Sequence, residues 1–162
     1  MKTLFLLRHA KSSWDNPNIS DFERPLNKRG LETAPFIGKL LYDRKIQPDL
    51  ILSSPAKRAK QTAILVKETG ELSVEINYED NIYEASPLRL LEILSKVNDE
   101  AESILLVGHN PGLESLIRIL SGEIHAIQTC VLTKLNLNIE KWNEISSDCG
   151  EIEFIIRPKE EM

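Results

Sequence analysis

Apolar residues in this chain form short unbroken runs that alternate with stretches spaced three and four residues apart. Met1–Leu7, Asp49–Ser53 and Ser103–Val107 each carry a run bounded by polar residues, the pattern of a buried strand. Val74–Tyr78 alternates as a strand does. Helical spacing links Leu31, Ala34, Ile37 and Leu41, then Ala59, Thr62, Ala63 and Val66. It returns in Leu88, Leu91, Leu94 and Val97, and in Leu113, Leu116, Ile117 and Leu120. Val131–Leu137 follows, and the segment around Trp142 is expected to pair with Ile152–Ile156 as an antiparallel edge before the polar tail Pro158–Met162. Strands alternating with helices predict an α/β fold, a three-layer α/β/α sandwich with a mostly parallel central sheet.

Caps and breakers refine these elements. Asn27 is placed to cap the first helix, and Pro35 and Gly38 inside it predict a kink or a late start. Ser54-Pro55 and Ser86-Pro87 each read as a capping hydroxyl followed by a proline in the first helical turn. Ala10 to Asn27 is expected as a polar loop, with Trp14, Asp15, Asn16, Pro17 and Asp21 suited to turns. At roughly fifteen residues it is longer than most connections, and such loops are often functional. Arg24 precedes Pro25, so its backbone should be extended and its side chain free to reach back over the first strand.

Composition narrows the class. The 162 residues, 41% of them hydrophobic, suit one domain spanning residues 1–162. No apolar run approaches the roughly 20 residues that cross a bilayer, and the first residues lack a secretory pattern, so a soluble, cytoplasmic protein with no membrane partner is expected. Cys130 and Cys149 lack metal-ligand spacing and read as free thiols. A net charge of −5 argues against nucleic acid as a partner, and any anion must be held by a local positive cluster.

Such a cluster is written at the strand ends. The first strand stops in Arg8-His9-Ala10-Lys11-Ser12, the second in Ser53-Ser54 ahead of Arg58, and the third in Gly108-His109. The carboxyl edge of an open α/β sheet is where ligands bind. Arginine presents a planar fork of donors that matches phosphate oxygens, and Arg58 falls near the positive end of its helix. Taken singly, either histidine reads as a hydrogen-bonded core or turn residue, Arg58 as a solvated arginine and Glu84 as a solvated loop carboxylate. Two histidines with two or three arginines at one edge suit a phosphoryl-transfer site better than a core.

These motifs resemble the histidine phosphatases of the phosphoglycerate mutase-like superfamily. Arg8-His9-Ala10-Lys11-Ser12 is similar to the family's Arg-His-Gly opening, Ser53–Thr62 to its second motif, and Val107-Gly108-His109-Asn110 to its third. Arg24-Pro25-Leu26 ahead of Gly30, with the short chain, resembles the SixA-type phosphohistidine phosphatases in particular. The match runs through nearly the whole chain in order. Ala10 stands where the family has glycine, and Asp15 where many mutase-like members have asparagine after tryptophan. A carboxylate at Asp15 would repel phosphate unless it turns away.

The resemblance implies a phosphoglycerate mutase-like fold and a hydrolase that needs no metal or cofactor. It makes His9 the nucleophile, Arg8 and Arg58 the phosphate clamps and His109 the second histidine, with Arg24 and Ser12 as further phosphate ligands. Glu84 falls in the region of the family's proton donor. The implied substrate is a phosphorylated protein, carrying phosphohistidine, or a small phosphomonoester. A small-molecule phosphatase, a mutase-like phosphotransferase and a non-catalytic phosphate-binding module are the other readings. Against the mutase stands the short chain, and against the module stand the intact Arg8, His9, Arg58 and His109.

Overall fold

The structure, a computed structural model, describes residues 1–162. Its centre is a six-stranded sheet built from β1 (Lys2–Arg8), β2 (Leu50–Ser53), β3 (Ile76–Tyr78), β4 (Ser103–Gly108), β5 (Leu132–Leu137) and β6 (Gly150–Ile156). They lie in the order β3-β2-β4-β1-β5-β6. The first four are parallel, and at one side β5 runs antiparallel to both β1 and β6. This is the expected α/β sandwich. The Trp142 segment is not a strand. It forms a 3-10 turn, Trp142–Glu144, and the partner of β6 is β5. Its indole is fully buried and donates to the Ala101 carbonyl at 2.8 Å, which uses the ring as core rather than as sheet edge.

Successive side chains of a strand point to opposite faces, so an apolar run feeds two cores. On one face Phe5, Leu7, Leu105 and Val107 pack against α1 (Lys28–Asp43) and α2 (Lys57–Gly70). On the other Leu4, Leu6, Ile104 and Leu106 pack against α3 (Pro87–Ser95) and α4 (Gly112–Ser121). A short α5 (Pro158–Glu161) ends the chain. β1 and β4 are neighbours, yet the helices that follow them lie on opposite faces. That divergence opens a crevice between their carboxyl ends.

The helices correct several expectations. α1 runs unbroken through Pro35 from the Asn27 cap, whose side chain accepts from Gly30 N at 2.9 Å. Its buried face is Gly30, Thr33, Ala34, Ile37, Gly38 and Leu41, leaving Leu31 outside. Gly38 sits so close to Thr69 and the Val66 carbonyl that any Cβ would collide, which is what lets α1 and α2 pack tightly. α2 starts at Lys57 after Ala56, so Ser54 is not its N-cap. α3 buries Leu90 and Leu94 while Leu88 is exposed; Leu91 and Val97 only lean on the core. α4 buries Leu113, Leu116, Ile117 and Leu120 as its spacing requires.

Candidate active site

Parallel register brings the three polar strand ends to one level. Arg8 lies beside Gly108, and Ser53 beside Val107. Beyond the ladder, His9 N donates to the Gly108 carbonyl at 3.0 Å and Ser54 N to that of Val107 at 3.0 Å. The two histidines therefore leave neighbouring strands side by side, with ring centroids 5.1 Å apart. A cleft of about 320 Å³ lies there, lined by Arg8, His9, Lys11, Ser12, Trp14, Arg24, Arg58, His109, Asn110 and Thr129. No carboxylate lines it.

His9 is almost wholly buried, and its Nδ1 lies 2.7 Å from the Ala10 carbonyl. A carbonyl only accepts, so Nδ1 carries the proton and the lone pair of the neutral ring is on Nε2. Burial, then the charges around it, lowers its pKa to about 3. Ala10 is not in the left-handed region, so the turn does not need the glycine it replaces. Its N–H donates to Thr62 Oγ1 at 2.9 Å, and that hydroxyl donates to the Arg58 carbonyl at 2.7 Å, joining the nucleophile's turn to α2. His109 is held by Ser54 Oγ at 2.8 Å from Nε2, while its Nδ1 is buried without a protein partner. Burial and the Arg58 charge lower its pKa to about 4. Ser54, read from sequence as a helix cap, thus orients the second histidine.

The arginines are held by groups that differ for each. Arg8 donates to the Ile127 carbonyl at 3.0 Å, in a loop that Asn110 and Glu114 also grip. Burial lowers its pKa, and the neighbouring Glu114 opposes that shift. Arg58 gives one N–H to the Asp21 carbonyl at 2.7 Å and another to its carboxylate at 3.0 Å. A guanidinium has five N–H donors, which leaves three on Arg58 without a protein partner, Nε among them. Arg24 reaches back as expected, donating to Asp21 Oδ1 at 3.1 Å and to Ser12 Oγ at 2.7 Å. The exposed Trp14 ring stacks on it, with the guanidinium carbon 3.4 Å from the ring centroid.

Asp21 and Tyr83 are the residues that sequence reading passed over. The Asp21 carboxylate ties Arg24, Arg58 and the Tyr83 hydroxyl, which donates to it at 2.6 Å. The Tyr83 hydrogen bond, followed by Arg58, lowers the Asp21 pKa to about 2. Tyr83 packs edge-on against His109 and Phe22. The signal for Asp21 was present as an acidic residue three before Arg24 on a tight turn, the spacing of a local ion pair. Asp15 is exposed and away from the cleft, so its carboxylate is turned from any phosphate. Glu84 is exposed at the rim beside Tyr83, with φ +56, and is not among the cleft residues.

The sequence and the fold have counterparts among known proteins. The family model of the histidine phosphatase superfamily (branch 1) matches residues 4–88. An uncharacterized chloroplastic protein of Arabidopsis thaliana is 31% identical, over 97% of this chain and 78% of its own length. The crystal structure of a candidate phosphohistidine phosphatase SixA from Agrobacterium tumefaciens superposes with a TM-score of 0.84 at 32% identity, covering 97% of this chain and 98% of that one. A protein histidine phosphatase SixA complexed with tungstate shares the fold, with a TM-score of 0.86 at 21% identity over 99% of both chains. The chain belongs to the histidine phosphatase superfamily.

Proposed function

We propose that the protein hydrolyses phosphohistidine on a protein partner through a phosphoryl intermediate on His9. One observation carries this reading. The hydrogen bond from His9 Nδ1 to the Ala10 carbonyl leaves Nε2 as the free lone pair of a neutral imidazole, in a cleft ringed by arginine. Nε2 attacks phosphorus in line, the leaving group departs, and water then displaces His9 to release phosphate. Two easier displacements replace one hard one. Arg8, Arg58 and Arg24 meet the three equatorial oxygens with donors not used by the protein, and Ser12 holds Arg24 in that position. His109, its Nε2 held at 2.8 Å from Ser54 Oγ, lines the cleft beside the nucleophile. Positioning and charge of this kind supply most of the rate in phosphoryl transfer.

The preference for phosphohistidine comes from the missing acid. Asp21 is held ionised by its partners, the Glu114 carboxylate is taken up by Asn110 and the Ile127 N–H, and Glu84 stands at the rim outside the cleft lining. A phosphorylated imidazole leaves readily once its own ring is protonated, whereas an alkoxide needs a proton from the enzyme. Glu84 serves as donor for such alkyl substrates, reaching in from beside Tyr83. The free thiols Cys130 and Cys149 fit a reducing, cytoplasmic setting. Steady-state rates on a phosphohistidine peptide, an aryl phosphate and an alkyl phosphate test the reading. The expected order is phosphohistidine and aryl well above alkyl; an alkyl phosphate turned over as fast as phosphohistidine would overturn it.

A further inference from the structure

A second cleft, of about 350 Å³, opens beside the first and shares Arg8, Lys11 and Thr129 with it. Its charge is one-sided. Arg8, Lys11, Arg29, Arg157 and Lys159 line it against a single carboxylate, Glu160, in a chain whose net charge is −5. Lys11, Arg29, Arg157 and Lys159 form no salt bridge. Arg157 is fixed in place by donating to the Ala126 carbonyl at 2.6 Å and to Gln128 Oε1 at 2.7 Å. Of the 11 residues that line it, only one is hydrophobic. Scattered surface cations repel one another and spread out; these converge on a concavity that is continuous with the reacting phosphoryl site.

We propose that this cleft is an anion subsite of the active centre, holding a carboxylate or phosphate group of the substrate while the transferred phosphoryl group lies at His9. The inference rests on the phosphatase reading above. Arg8 is the hinge between the two sites: lining both clefts, it faces the phosphoryl group on one side and the second anion on the other. The tail residues Arg157 and Lys159, at the start of α5, thereby gain a role in substrate choice. Its volume exceeds that of a bare phosphate, so the group it takes is attached to a larger body: an acidic side chain near phosphohistidine, or the second phosphate of a bisphosphate.

The test is the double variant Arg29→Glu/Lys159→Glu, with Arg29→Gln/Lys159→Gln as a milder form. Both residues are exposed and outside the catalytic machinery. Three measurements of kcat/KM are compared. The first uses p-nitrophenyl phosphate, which has no second anion. The second uses paired phosphohistidine peptides with Glu or Gln beside the modified residue. The third uses a sugar monophosphate against the corresponding bisphosphate. Wild type should favour the member with the extra anion by about tenfold, as a charge-assisted contact implies. The Glu double variant should erase that preference, the Gln form reduce it, and both should keep p-nitrophenyl phosphate within about threefold of wild type. Selectivity in the peptide pair identifies an acidic protein substrate, and selectivity in the sugar pair a small bisphosphate. Turnover of p-nitrophenyl phosphate without either preference, or a preference that survives charge reversal, overturns the subsite. No turnover of any substrate by wild type would remove the phosphatase reading itself and the subsite with it.

Discussion

Replacing Asp21 by Asn should separate catalysis from phosphate binding. The carboxylate accepts from Arg24 at 3.1 Å, from Arg58 at 3.0 Å and from Tyr83 at 2.6 Å. Asparagine keeps one acceptor oxygen and turns an NH₂ toward a guanidinium that cannot accept. Buried hydrogen bonds to charged groups are worth about 1.5–3 kcal/mol each. The Asp21 side chain is 45% exposed, however, so solvent screening brings each nearer about 0.5–1 kcal/mol. A loss of roughly 1–2 kcal/mol in stability follows, readable from the urea midpoint. The kinetic effect should be larger. Arg58 keeps its tether to the Asp21 carbonyl but loses the bond that fixes the plane of its fork, and misplacement by about 1 Å can cost on the order of 100-fold. We expect kcat to fall by about tenfold or more on that basis. Phosphate affinity should hold or rise, because a neighbouring negative charge is gone. Acid supplies a second check. The Asp21 pKa is lowered from 3.8 to about 2, so its ionised form stabilises the fold fully above the higher value. That contribution is lost as pH falls through the lower one, and the stability gap between wild type and variant should close there. Unchanged kcat with weakened phosphate binding would mean that Asp21 does not position Arg58.

Other outcomes follow from the same geometry. Arg58→Lys keeps the charge but not the fork, and kcat/KM should drop at least ~10-fold; unchanged kinetics would take Arg58 out of the clamp. Glu84→Gln should slow alkyl phosphate hydrolysis by ~100-fold and spare phosphohistidine and activated aryl phosphates, and an equal fall on all three would assign Glu84 to dephosphorylation or positioning. His9 and His109, with pKa values of about 3 and about 4, should show no imidazole titration by NMR between about pH 5.5 and 8. Because both values lie below the ordinary histidine value of about 6.5, neither ring costs stability above that pH; as pH falls below it the unfolded chain takes up the protons first, so stability should decline from about pH 6.5 toward the folded values.

Much of the fold was legible because burial on both faces leaves an uninterrupted apolar signal. Leu4–Leu7, Ile51–Leu52 and Ile104–Val107 each feed two cores, and their polar terminators mark where the sheet ends. α4 was legible because its core face is wholly aliphatic. On α1 the expected Ala34, Ile37 and Leu41 are buried and Leu31 is not, because Gly30, Thr33 and Gly38 complete its buried face and such residues carry no hydrophobic signal. Their smallness is what tight packing requires. Ser54 reads as a cap because hydroxyl followed by proline fits a helix start; the structure spends that hydroxyl on Ala56 N and His109 instead. Trp142 was placed in the sheet because an aromatic residue near an edge resembles a strand until the burial of its ring is seen. Arg8, His9, Arg58 and His109 converge because parallel register forces their strands to end together. Asp21 and Tyr83 stand 62 positions apart, and no local pattern announces a contact across that distance.

The central claim is that His9 carries the phosphoryl group, and trapping it is the most direct test. Wild-type protein is mixed with phosphohistidine peptide or p-nitrophenyl phosphate, quenched at alkaline pH within a turnover, digested and mapped by mass spectrometry. The phosphoryl group should appear on the peptide containing Arg8-His9-Ala10. His9→Ala should show none and lose turnover, yet still bind tungstate or phosphate through Arg8, Arg58 and His109, which verifies that its site is intact. Phosphoryl transfer to another residue, or near wild-type turnover by a correctly folded His9→Ala, would contradict the account.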